Sequence, residues 1–163
     1  MFEELLAYLE ERGVRFVVVG GIAVVVHGFA RLTADIDLVI DLERSNVTRC
    51  VEALTERGLQ PLLPVAPADF ADEEIRKDWI EHRNLQVFTM RDPRNPMLTV
   101  DLFARPPIPF DELWNDATTL ALAGRPIRIA SLAHLITMKR TAGRPQDLID
   151  VERLEAIARN RHA

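Results

Sequence analysis

The stretch Phe16-Val17-Val18-Val19-Gly20-Gly21, followed thirteen residues later by Asp35-Ile36-Asp37-Leu38-Val39-Ile40, decides the fold. Four apolar residues in a row read as a short buried strand, and the glycine pair lets the backbone turn tightly into a helical run from Ile22 to His27. Free backbone N–H groups at such a helix start suit a phosphate oxygen. In the second run, Asp35 and Asp37 point to the same face of a strand, about 7 Å apart along the chain. Burying two acids without a cation costs several kcal/mol, so the pair argues for a metal or for a solvated strand end. Two divalent ions roughly 3.5 to 4 Å apart need a third carboxylate to bracket them. Asp101 is the candidate, a lone acid in the apolar run Leu98-Thr99-Val100-Asp101-Leu102-Phe103.

Outward from this centre, Leu5, Leu6 and Leu9 mark an amphipathic first helix that Gly13 closes. A second amphipathic helix runs from about Asn46 to Arg57, with Val47, Cys50, Val51 and Leu54 on one face and Gly58 after it. Pro61, Pro64 and Pro67 interrupt the pattern and make residues 60–70 the expected mobile insertion, with a short helix within Asp69 to Asp78. Leu85 to Met90 and Leu98 to Phe103 read as strands joined by Asp92-Pro93-Arg94-Asn95-Pro96, a connection fit for a hairpin. A small hairpin of Thr118 to Leu122 and Ile127 to Ile129 is expected around Gly124, before Ser131 caps a helix carrying Leu132, Leu135, Ile136 and Lys139. Gly143 ends that helix, and Pro145 opens the last one.

With 163 residues, 48% hydrophobic and 28% charged, the chain is read as one soluble globular domain. A net charge of −5 argues against a general electrostatic grip on nucleic acid. Any RNA contact then falls to the C-terminal third, where Lys139, Arg140, Arg144, Arg153, Arg159 and Arg161 gather among acids that also suit a plain solvated helix. The single Cys50 forms no internal disulfide, Phe2-Glu3-Glu4 lacks the positive start of a signal peptide, and no apolar run nears 18 residues. A cytoplasmic location, without membrane contact, is the expectation.

The order Val18-Val19-Gly20-Gly21, Asp35-Ile36-Asp37 and a distal strand Asp101 resembles the nucleotidyltransferase superfamily pattern of hydrophobic-Gly-Gly/Ser, Asp-x-Asp and a late Asp. Among its minimal members the chain is most similar to the AbiEii-type toxins. Arg31-Leu32-Thr33 sits where those proteins have Arg-x-Ser/Thr, and Lys139, Arg144-Pro145-Gln146-Asp147 and Asp150 are similar to their Lys, Arg/Lys-x-Lys-Asp and Asp pattern. Position 22 is Ile where many relatives place a Ser, and position 146 is Gln where they place Lys. The resemblance implies an α/β (α+β) domain over residues 1–163, with a short mixed sheet flanked by helices in the polymerase β-like palm arrangement. It implies transfer of a nucleoside monophosphate from an NTP to an acceptor hydroxyl, with two Mg²⁺ ions held by Asp35, Asp37 and Asp101. Gly20, Gly21, Arg31, Thr33, Lys139 and Arg144 would hold the triphosphate, and Asp101 would deprotonate or orient the acceptor. Asp147 is carried over as an orienter or base. The acceptor so implied is RNA, in particular a tRNA end, or a protein, within a toxin–antitoxin pair that has a cognate partner.

Two other readings stay open at this level. Small antibiotic nucleotidyltransferases resemble the same opening, which leaves a small hydroxylated acceptor. A non-catalytic nucleotide- or partner-binding protein is the other, with Ile22 in its favour and the three retained acids against it. A Rossmann reading, with Asp41 as a ribose ligand, lacks the G-x-G-x-x-G spacing and leaves Asp35 and Asp37 unexplained. His27 and His134 read as packed or capping residues, and Trp79 and Trp114 as core or rim.

Overall fold

A computed structural model describes residues 2–28 and 35–161. The apolar stripe of α1 (Phe2–Glu11) buries Leu5, Leu6 and Leu9. The wholly buried strand β1 (Phe16–Val19) runs directly into α2 (Gly20–Val26). Then come β2 (Asp35–Ile40) and α3 (Arg44–Glu56). The middle of the chain forms β3 (Gln60–Pro61), a 3₁₀ turn over Pro67–Ala71 and α4 (Glu73–Arg83), followed by β4 (Val87–Asp92) and β5 (Asn95–Phe103). The last third comprises α5 (Phe110–Asp116), β6 (Thr118–Leu122), β7 (Arg125–Ile129), α6 (Leu132–Ala142) and α7 (Pro145–Arg161).

The strands form one mixed seven-stranded sheet in the order β3-β4-β5-β2-β1-β7-β6. The β1–β2 pair is antiparallel, whereas β1–β7 and β2–β5 are parallel. Because β2 and β5 are adjacent and parallel, Asp37 lies directly opposite Asp101, although 64 positions separate them in the chain, the difference of 101 and 37. Caps follow the sequence: Ser131 accepts a hydrogen bond from the His134 N–H at 3.1 Å, and Gly143 closes α6 in the left-handed region at φ +64°.

Three readings need correction. The 60–70 stretch is anchored at its end, because Phe70 is fully buried and stacks on Phe88 with ring centroids 4.5 Å apart, while Leu62 and Leu63 stay exposed. Trp79 continues that stack at 5.9 Å, so the α4 helix is longer than the sequence suggested and tied to the sheet. The β4–β5 connection is a tight turn at Pro93-Arg94 inside a longer hairpin, and α5 was not anticipated at all. Cys50 is completely buried, and burial pushes its thiol up to about 12. No helix among the described residues is long and apolar enough to cross a membrane.

Candidate active site

The site is built where β1 ends, β2 begins and β5 passes beside it. Gly20 adopts φ +70°, and a Cβ there would lie 2.0 Å from Asp37 Oδ2. The Asp37 carboxylate therefore rests on the bare Cα of Gly20, a contact no other residue type admits. Asp101 is within hydrogen-bond reach of Asp37, and Thr89 on β4 donates its hydroxyl to Asp101 Oδ1 at 2.6 Å. Asp35, one strand step further out and exposed, adds charge to both.

Burial, then the neighbouring Asp101 and Asp35 charges, push Asp37 up to about 7 against the pull of Lys139. Burial raises Asp101 as well, and the Thr89 hydroxyl opposes that rise. Near pH 7 and without a metal the Asp37 carboxyl is thus partly protonated, the ordinary response of crowded acids. Hard carboxylate oxygens with surplus negative charge fit a divalent cation of the Mg²⁺ type. Among the described residues no three such groups already close around one point, since Asp35 stands at the strand mouth while Asp37 and Asp101 converge.

A second cluster faces this one from α6 and α7. Lys139 is buried, with Nζ 3.2 Å from Asp147 Oδ1 and 3.1 Å from Asp150 Oδ2. Arg144 donates to Asp147 three times, from its backbone N–H at 3.1 Å, Nε at 2.7 Å and Nη2 at 3.3 Å. Burial works to raise Asp147, but the bonds from Arg144 and Lys139 outweigh it and hold the carboxyl below its ordinary value. Gln146 donates to Asp150 Oδ1 at 2.9 Å, which gives the uncharged residue at that position a structural task. Two cations and two acids nearly cancel, so this is a neutral clamp. A base role does not suit Asp147, because a carboxylate already accepting from two cations is a poor proton acceptor. Lys139 is likewise no exposed helix lysine, since it is locked between two acids.

Between the clusters lies a cavity of about 400 Å³ lined by Gly20, Asp37, Asp101, Lys139, Arg144 and Asp147, with Val87, Phe103 and Pro107 forming an apolar wall. Gly21 is buried in the first turn of α2, and Ile22 is buried in the core, so position 22 sends no polar group into the cavity. Arg31 and Thr33 lie outside the described residues. The sequence signalled the acids and the clamp residues; Thr89 was missed, because only the β4–β5 register brings it to Asp101.

The family described as "Nucleotidyl transferase AbiEii toxin, Type IV TA system" matches residues 4–161. The chain belongs to the AbiEii nucleotidyltransferase family. No curated protein matches it in sequence. Solved structures similar to this AbiEii-family chain include ANT(2")-Ia in complex with adenylyl-2"-tobramycin, at 18% identity and TM-score 0.58, covering 99% of this chain and 97% of that one. The lincosamide antibiotic adenylyltransferase LnuA, lincomycin-bound, is similar at 16% identity and TM-score 0.58, over 91% of this chain and 90% of that one. An antigenic nucleotidyltransferase-like protein from Paracoccidioides brasiliensis is similar at 16% identity and TM-score 0.55, over 95% and 72%. At such identities the likeness establishes the nucleotidyltransferase fold of this AbiEii-family chain and nothing of its substrate.

Proposed function

We propose that this AbiEii-family protein transfers a nucleoside monophosphate from an NTP to an acceptor hydroxyl and releases pyrophosphate. The observation that carries the reading is the Asp37–Asp101 pair, with Asp37 seated against Gly20, a costly arrangement that a divalent cation relieves. Asp35, Asp37 and Asp101 are the residues that would hold Mg²⁺, two ions if all three engage. Bound there, Mg²⁺ supplies charge neutralisation at the triphosphate and lowers the pKa of the acceptor hydroxyl.

The rest falls to the chain itself. Gly20, with Gly21 behind it in the first turn of α2, allows the triphosphate to approach the backbone, and the mostly exposed Arg144 guanidinium faces it across the cavity. Arg31 and Thr33 belong to the same phosphate-binding role. Lys139, fixed by Asp147 and Asp150, supports the field at Asp37 without leaving its clamp. The acceptor oxygen attacks the α-phosphorus as the bond to the β-phosphate oxygen breaks. Its proton passes to Asp101 and the electron pair leaves with pyrophosphate, while Thr89 holds the other Asp101 oxygen in place.

A cavity of about 400 Å³ sits near the low end of the range for one small ligand, roughly 300–1,000 Å³. A nucleotide fills it, so the acceptor enters from outside. The family description supports a toxin–antitoxin setting with a cognate partner, and the AbiEii-type resemblance implies RNA, including a tRNA end, or a protein as acceptor. The apolar wall of Val87, Phe103 and Pro107 favours one second reading, a small acceptor that is not strongly cationic.

Calorimetric titration of ATP, GTP, CTP and UTP with Mg²⁺ into the protein and its Asp35→Ala/Asp37→Ala variant tests the reading. Metal-dependent binding that disappears in the variant is expected, followed by label transfer from the bound NTP to RNA or protein. Folded protein that binds none of the four nucleotides overturns the transferase reading and leaves a partner-binding role.

A further inference from the structure

The sheet has two unlike edges. One is β3, only two residues long and ending in Pro61, the short and proline-marked kind of edge that resists further pairing. The other is β6, Thr118-Thr119-Leu120-Ala121-Leu122, five uncharged residues of which the first four are exposed. No strand among the described residues pairs with its outer side. Leu120 keeps 38% of its surface in solvent.

Which backbone groups β6 offers follows from its partner strand. Pro126 stands opposite Ala121 and has no N–H, so this is a pair without hydrogen bonds. The turn agrees: Ala123 and Gly124 have φ +48° and +79°, the two positive values of a type I′ hairpin whose closing pair, Leu122–Arg125, is hydrogen-bonded. By alternation Thr118, Leu120 and Leu122 bond inward to β7. The N–H and C=O groups of Thr119 and Ala121 point outward.

We propose that the outer edge of β6 pairs antiparallel with β6 of a second copy about a two-fold axis at Leu120. In that register Thr119 faces Ala121 of the other copy and Ala121 faces Thr119, so each pair exchanges two N–H···O=C bonds and the outward groups satisfy one another. Leu120 meets its own counterpart in the closer, non-hydrogen-bonded pair, where side-chain contact is strongest. The pairing encounters no charge along the strand; the nearest charges at its ends, Asp116 and Arg125, already face His134 and Glu10 within their own chain. Two mixed sheets become one continuous sheet, and the cavity beside β5 and α6 stays open because it lies on the other side of β1. The occupant is a second copy, because the edge is complementary to itself in backbone bonds and in its uncharged side chains.

Sedimentation analysis over a range of concentrations tests this on the wild-type chain, Thr119→Pro and Leu120→Lys. Thr119→Pro removes only an outward N–H, and Leu120→Lys places like charges at the axis while leaving the backbone alone. The wild type is expected to form dimers that dissociate on dilution. Each variant should weaken the dimer at least about tenfold, some 1.4 kcal/mol, with unchanged circular dichroism. Hydrogen exchange should show the Thr119 and Ala121 amides protected in the dimer. A wild type that is monomeric at every concentration overturns the proposal, as does a dimer that survives both substitutions or leaves those two amides unprotected.

Discussion

At the scale of single residues the site turns on a hydrogen atom, the one that Gly20 carries in place of a side chain. Gly20→Ala forces a Cβ against Asp37 Oδ2 and strains a backbone at φ +70°, whereas Gly28→Ala meets nothing within 4 Å among the described residues and carries the strain of φ +111°. Nucleotide binding by calorimetry should therefore be lost in Gly20→Ala and kept in Gly28→Ala, with both folds destabilised by about 1–3 kcal/mol from backbone strain. Asp37 shows the opposite trade. Its carboxyl is crowded, so Asp37→Asn should raise the melting temperature of the metal-free protein at pH 8 while abolishing Mg²⁺-dependent nucleotide binding. Thr89→Val keeps the shape and deletes the hydroxyl bond to Asp101. Turnover should fall about 10- to 100-fold with KM for the nucleotide little changed, because the loss concerns proton transfer and not binding.

Between elements, charge and hydrogen bonding fasten helices to the sheet. Removing the cation of the α6–α7 clamp by Lys139→Met leaves Asp147 and Asp150 buried without it, and chemical denaturation should register a loss of about 3–5 kcal/mol. His27 ties three elements together. Its Nε2–H donates to the Ala130 carbonyl at 2.8 Å, and Nδ1 faces the Arg161 donor at 3.2 Å, so the neutral ring is the one that fits. Burial first, and Arg161 in addition, lower its pKa below 6.5, although the bond to Ala130 opposes them. The unfolded chain then takes up this proton more readily than the folded one. Stability from His27 is complete above pH 6.5 and declines as the pH falls toward the folded value. Urea midpoints of the wild type should drop as the pH falls below about 6.5, and His27→Gln should flatten that part of the profile. Much of this scale was legible in the chain. Glycines and Ser131 bounded the long helices, and period-two alternation exposed Asp35 and Asp37. What could not be read depended on which strands become neighbours: the Gly20–Asp37 contact, Thr89 beside Asp101, and a lysine neutralised in its own clamp. The seven-residue α5 and two-residue β3 were too short to leave a periodic signal.

For the whole molecule, the middle of the chain is held by aromatic packing. Phe88 on β4 lies between Phe70 of the 3₁₀ turn and Trp79 of α4. Phe88→Ala should cost about 3–5 kcal/mol by denaturant unfolding, among the larger losses the core can show. Proline spacing made this region look loose, since stacking between residues 70, 79 and 88 has no local pattern from which to infer it.

Cys50 is the chain's single cysteine, fully buried and with its thiol held so far above neutral pH that almost no thiolate exists to react. The native protein is therefore silent toward maleimides and iodoacetamides while it stays folded. A cysteine placed at an exposed position beside the cavity would take a fluorophore or spin label alone, without prior removal of the natural one, and slow labelling of Cys50 itself would count the molecules that open.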